Sequence, residues 1–181
     1  MLLILNFVVF QLGWFSSVIG AAREMPWLGP LAALVALAIH FYHARRPMQE
    51  LMLIVSCAMI GAIFDSLLVS SGWVEYSSGL FSESLAPYWI ITMWMLFATT
   101  LNVSLRWLRG RDALAAAFGF FGGPLTYLAG QKLGGISLVN ETAALLALAI
   151  GWAVIMPVLL RLSETFDGMS HTRTNTVEAR S

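Results

Sequence analysis

The sequence predicts an all-α polytopic membrane protein with six transmembrane helices and both termini in the cytoplasm. Hydrophobic residues make up 59% of the 181-residue chain and charged residues only 11%, and the mean hydropathy is +0.78. This composition is too apolar for one small soluble domain. Apolar runs that can cross a hydrocarbon core of about 30 Å lie at residues 2–22, 27–42, 48–71, 87–108, 113–130 and 142–162.

The distribution of basic residues predicts the orientation, because Lys and Arg in short loops remain on the cytoplasmic side. With the N-terminus inside, only Arg23 and Lys132 lie outside. The other basic residues then share the inner side: Arg45, Arg46, Arg106, Arg109, Arg111, Arg161, Arg173 and Arg180. We expect one transmembrane domain at residues 1–163 and a polar, disordered cytoplasmic tail at residues 164–181.

The fifth run, residues 113–130, is predicted to be the central helix of the bundle. At helical spacing, one of its faces carries only small residues: Ala115, Gly119, Gly123, Thr126 and Gly130. Small residues allow other helices to approach closely in a bilayer. Pro124 predicts a kink within this helix. We therefore expect the neighbouring helices to pack around this run.

Polar residues within the predicted spans fall into two sets when their depth is counted at about 1.5 Å per residue. The outer set contains Arg23, Glu24, Asp65, Tyr127, Gln131 and Lys132. The inner set contains Asn6, His40, His43, Glu50, Asn102 and Arg106. Gln11 lies near the centre of the first span, and Trp14 is deep enough to line a cavity.

Asp65 is the leading candidate for function in the outer set. A carboxylate inside a span is costly and usually faces the bundle interior with a partner. Gly61 and Gly72 are expected to open space beside it. One interpretation makes Asp65 a ligand-binding or proton-handling group with Arg23 or Lys132 as its counter-charge, and the other makes it part of a structural salt bridge or helix cap.

In the inner set, Asn102 and Arg106 share a predicted helix face with Thr99. Such polar faces form hydrogen bonds between membrane helices. The alternative is a site for lipid headgroups, in which arginines at the inner interface contact phosphates. We take Gln11, Trp14, Asp65, Asn102, Arg106 and Tyr127 as candidate ligand or lipid contacts.

The sequence predicts no catalytic residues, metal site or cofactor. The single cysteine, Cys57, lies in an apolar run, so no internal disulfide is expected. The chain has three histidines, too few for the histidine boxes of membrane di-iron enzymes, and it lacks nucleophile-elbow, phosphate-loop and dinucleotide motifs. Basic and acidic residues balance at ten each, so no nucleic-acid partner is expected.

Four stretches resemble a family of small bacterial inner-membrane proteins catalogued as domain of unknown function 2878. They are FQLGWFSSVIGA at 10–21, Asp65 followed by Gly72, PYWIITMWMLFATTLNVSLRWL at 87–108, and GFFGGPLTYLAGQKLG at 119–134. Members of that family tend to be encoded near cyclopropane-fatty-acid-synthase-like and related lipid-modifying enzymes. The resemblance implies an accessory role in membrane fatty-acid or phospholipid modification.

Three functions remain open on the sequence. The first is an accessory or lipid-binding membrane component, which contacts membrane lipids and partners a lipid-modifying enzyme. The second is a small-molecule binding or transport subunit that uses Asp65 with Arg23, Tyr127 and Lys132. The third is an intramembrane lipid-modifying enzyme. The oligomeric state does not follow from the sequence.

Overall fold

The computed structural model describes residues 1–170 and consists mainly of helices. The helices are α1 (Leu2–Ala22), α2 (Leu28–His43), α3 (Pro47–Ser70), α4 (Tyr88–Leu101), α5 (Asp112–Lys132) and α6 (Glu141–Thr165). Two short strands, β1 (Val74–Tyr76) and β2 (Ile136–Leu138), and a 3₁₀ turn at Arg106–Leu108 complete the elements. The mostly helical prediction is confirmed, and the strands are an addition to it.

Four of the helices, α1, α3, α5 and α6, are long and apolar enough to cross a membrane. Their exposed side chains are largely aliphatic and aromatic, as expected for a surface in contact with lipid. The helices α2 and α4 have only 16 and 14 residues, and at 1.5 Å per residue they are about 24 and 21 Å long.

The central helix is α4, so the prediction that residues 113–130 are central is wrong. α4 packs against α1, α2, α3 and α6, and eight of its 14 residues are buried. α5 lies at the side of the bundle and packs mainly against α6. A face of small residues predicts close approach by a neighbour, but it does not predict how many neighbours there are.

The small face of α5 has two partners. Gly119 and Gly123 lie against Trp152 of α6, where an added Cβ would come within 2.1 and 2.5 Å of Trp152 atoms. Gly130 lies against Ile136 of β2. Pro124 lies inside α5, which continues to Lys132. These three glycines therefore lie where a neighbouring side chain or backbone leaves no space for a Cβ.

The two strands pair across one end of the bundle, which we call the sheet end. β1 and β2 are antiparallel, with Glu75 opposite Ser137. Each strand follows a helix that ends near a glycine with positive φ: Gly72 at 70° after α3 and Gly134 at 85° after α5. Glycine adopts this conformation without the cost of a Cβ clash. The chain can therefore turn directly from each helix into the strand that follows it.

The opposite end, which we call the arginine end, carries Arg45, Arg46, Arg106, Arg109, Arg111 and Arg161 near the helix ends. Here the structure corrects the boundary of the predicted tail. α6 continues to Thr165, and both Asp167 and Gly168 pack against the bundle. The tail prediction is therefore wrong for residues 164–170, and for residues 171–181 it lies outside the described part of the chain.

Candidate functional site

A cavity of about 300 Å³ lies between α1, α4, α5 and α6. Its volume is within the range of small-molecule binding pockets. α1 contributes Phe7, Phe10, Trp14 and Val18 at helical spacing, so the cavity is a groove that follows the helix axes. The other side chains that define it include Ile90, Met93, Trp94, Phe97, Phe118, Tyr127, Ile136, Trp152 and Met156. We call this cavity the groove.

Aromatic rings form the middle of the groove. Trp94 and Trp152 stack with their ring centroids 4.7 Å apart and their planes at 10°. Phe97 packs edge-on against both indoles, and Phe10 packs edge-on against Phe97. These contacts hold the indoles in one orientation, so the wall of the groove is preformed.

Gly122 explains why space remains in front of this wall. An added Cβ at Gly122 would meet no atom within 4 Å, and Gly122 lines the groove. Gly119 and Gly123 are already covered by Trp152. Of these three glycines of α5, only Gly122 therefore leaves open volume.

Asp65 lies behind the aromatic wall and is fully buried. The Tyr76 hydroxyl donates to its Oδ1 at 2.6 Å, and the Trp94 indole donates to its Oδ2 at 2.6 Å. The Tyr127 hydroxyl also donates to Oδ1. Three donors thus satisfy a carboxylate that would otherwise be costly to bury.

The predicted ion pair of Asp65 with Arg23 or Lys132 is wrong. Within residues 1–170, neither cation forms a salt bridge with Asp65, and both residues are exposed. The physical reason is that Tyr76 and Trp94 lie closer to the carboxylate and satisfy it without bringing a charge into the bundle. The predicted space at Gly61 is also filled, because Trp94 covers it.

Tyr76 is the donor that lies outside the helices, in β1. Burial, and then the nearby Asp65 carboxylate, raise the pKa of the Tyr76 phenol well above its usual value. The hydroxyl therefore keeps its proton and remains a donor to Asp65. Through this bond, the sheet end is attached to the interior of the bundle.

The arginine end contains a second polar cluster, built on Glu50. This fully buried carboxylate accepts from Asn102 Nδ2 at 2.5 Å and from the backbone of Gly168 at 2.7 Å. His40 Nε2 lies 2.7 Å from its other oxygen. The bonds hold the segment after α6 against α2, α3 and α4, so the cluster stabilises the fold and does not line the groove.

Asn102 and Arg106 do not share a helix face as predicted, because α4 ends at Leu101. Asn102 caps that end, and its Oδ1 accepts from Arg109. Arg106, in the 3₁₀ turn, forms a salt bridge with Asp167 at 2.8 Å. Asn6 of α1 donates to the Thr99 carbonyl of α4 at 3.1 Å, which joins these two helices.

The structure divides the candidate contacts into three places. Trp14 and Tyr127 line the groove, and Asp65 lies behind it. Asn102 and Arg106 belong to the arginine end. Gln11 is half-buried on α1 and is not among the groove residues. Sequence reasoning missed Gly122, Trp152 and Phe10, because a cavity has no local sequence signal.

Asp167 predicts a pH dependence of stability. Burial acts to raise its pKa, but hydrogen bonds from Arg109 and the Ser170 backbone, with the charges of Arg109 and Arg106, lower it below its usual value. Its ionised form therefore stabilises the fold above the unfolded pKa of about 4, and this contribution is lost as the pH falls through the lower folded value.

The measurement is the unfolding free energy in detergent of the parent and of Asp167→Asn as a function of pH. We expect a constant difference above about pH 5 that disappears on further acidification. A difference that does not change with pH would contradict the role of the charge.

Comparison with known protein families identifies the family of this chain. Residues 3–158 match the family described as "Protein of unknown function (DUF2878)". The chain belongs to this family. No curated protein and no solved structure gives a significant match. The family assignment covers α1 to α5 and most of α6, so it includes every element that lines the groove.

Proposed function

We propose that this DUF2878 protein binds a lipid chain in the groove and acts as a non-enzymatic accessory component in membrane fatty-acid or phospholipid modification. The observation that carries the proposal is the groove, a preformed cavity of about 300 Å³ with aromatic and aliphatic walls inside a bundle of apolar helices. In a bilayer, the molecules that surround such a cavity are lipids. A hydrocarbon chain complements its walls by packing.

We further propose that all six helices cross a bacterial inner membrane, with the arginine end and both termini in the cytoplasm. Successive helices run in opposite directions between the sheet end and the arginine end, and this supports six crossings. Within residues 1–170, the arginine end carries six arginines, whereas Arg23 and Lys132 lie at the sheet end. This asymmetry agrees with the tendency of basic residues to remain cytoplasmic.

The test is to fill the groove from Gly122. Because a Cβ at this position meets no atom within 4 Å, Gly122→Leu adds a side chain to the groove without a clash at its base. We expect it to weaken binding of tritiated methyl palmitate, a neutral lipid chain, by about tenfold. Binding is measured by scintillation proximity on purified protein in detergent.

The matched control is Leu125→Phe on the same helix. Leu125 is 63% exposed and is not a groove residue, so the added bulk points to the surroundings of the protein. We expect this variant to bind methyl palmitate like the parent. Equal binding by Gly122→Leu and the parent, with both proteins folded by circular dichroism, would refute the groove as the site.

A further inference from the structure

The groove is closed at the sheet end. Gly135, next to β2, lies so close to α1 that an added Cβ would come within 2.8 Å of the Val18 carbonyl oxygen. Ile136 of β2 fills the space beside it and contacts Gly130 of α5. Ile136 thus forms an apolar lid over this end, and within residues 1–170 no Lys or Arg is among the side chains that line the groove.

The groove has polar residues at the arginine end. Thr100 and Ser104 line it there, but their hydroxyl hydrogens are already used, because Thr100 donates to the Phe97 carbonyl at 2.6 Å and Ser104 donates to Asn6 Oδ1 at 2.5 Å. These residues offer a ligand only weakly accepting oxygens. A charged headgroup at this end therefore needs a donor from outside the lining.

Arg106 is placed to supply that donor. It follows Leu105, which lines the groove, and its side chain is 45% exposed. Its Nη2 donates to Asp167, and within residues 1–170 its Nε and Nη1 donate no hydrogen bond. Trp107, the next residue, packs edge-on against Phe118 of the groove, which fixes the 3₁₀ turn beside the groove.

The length of the groove matches one lipid chain. The α1 residues that line it extend from Phe7 to Val18, a rise of about 16 Å. This is about half of a hydrocarbon core of roughly 30 Å, and it covers the middle of α1, which begins at Leu2 and ends at Ala22. A single chain lying along the helices would therefore reach from the arginine end to the lid at the sheet end.

We propose that the ligand is an anionic amphiphile, with its hydrocarbon chain in the groove and its acidic headgroup bound by Arg106. This inference rests on the proposed function and adds the class and orientation of the ligand. The closed apolar end receives the terminus of the chain, and the guanidinium receives the carboxylate or phosphate, for which its planar donors are suited. The headgroup then lies at the arginine end of the bundle.

The experiment compares palmitate with methyl palmitate, which have the same acyl chain and differ in charge. In Arg106→Gln, we expect palmitate to bind about fivefold more weakly, the effect of losing one arginine near anionic lipid, and methyl palmitate to bind as in the parent. Arg161→Gln is the matched control, because Arg161 is a 69% exposed arginine at the same end that pairs with Asp112. It should bind both ligands like the parent.

Each other outcome has a definite meaning. Equal binding of palmitate by Arg106→Gln and the parent, or an equal loss for both ligands, would overturn the assignment of the headgroup site. If the parent binds neither ligand, the proposed function itself fails. A third probe, dipalmitoyl phosphatidylglycerol, identifies the source: tighter binding than palmitate with the same dependence on Arg106 indicates a phospholipid, and binding of palmitate alone indicates a free fatty acid.

Discussion

Asp65→Ala is expected to lower the free energy of unfolding by about 3 kcal/mol or more, because it leaves several buried donors without an acceptor. The hydroxyls of Tyr76 and Tyr127 and the indole of Trp94 all donate to this carboxylate. Each unsatisfied buried donor costs about 1–3 kcal/mol. No water can easily replace the acceptor, since Asp65 is fully buried.

The measurement is reversible unfolding in mixed micelles. The control is a compensated variant that combines Asp65→Ala with Tyr76→Phe and Tyr127→Phe. Removing the donors along with the acceptor should recover part of the lost stability, because an apolar replacement of both partners is much less costly than an orphaned partner. If the compensated variant is less stable than Asp65→Ala alone, the carboxylate does not act through these tyrosines.

Gly61→Ala is expected to have a similarly large effect, because the added methyl group has no space. An ideal Cβ at Gly61 would lie 2.0 Å from Cγ of Trp94, so the indole must move as a whole. Its movement would break the bond to Asp65 and the stack with Trp152. Overpacking alone costs about 1–3 kcal/mol, and the lost contacts add to it.

Gly122→Ala provides the matched control, since it adds the same methyl group to another helical glycine and meets no atom within 4 Å. We expect Gly61→Ala to lower the thermal midpoint in detergent and to increase the exposure of tryptophan to an aqueous quencher. Gly122→Ala should change neither property. Equal stability of the two variants would show that Trp94 is not held against Gly61.

The positions of the helices could be predicted from sequence because the signals are local. An apolar run continues a helix, and a polar or glycine-rich segment ends it, so α1 was predicted with its observed bounds, Leu2–Ala22. The fourth span was predicted to continue to residue 108, whereas α4 ends at Leu101. Hydropathy does not distinguish a helix from the turns that follow it, and Asn102 and Arg106 were misplaced for this reason.

The polar residues also show which features follow from a single segment and which depend on contacts between segments. Counting residues along each span placed Glu50, His40 and Asn102 at one end, and they form one hydrogen-bonded cluster there. The partners of Asp65 could not be counted in this way. Tyr76 reaches it through a strand pairing that the sequence did not indicate, and Trp94 reaches it because Gly61 leaves room for an indole.

The sequence by itself determined that this is a membrane protein of apolar helices with a buried acid at one end and arginines at the other, because hydropathy and charge are properties of each segment. Only the tertiary structure decided which helix is central, what satisfies Asp65, and that a groove exists in front of Trp94 and Trp152. A cavity is the volume that packing leaves unfilled, so it depends on all the surrounding helices together and not on any one of them.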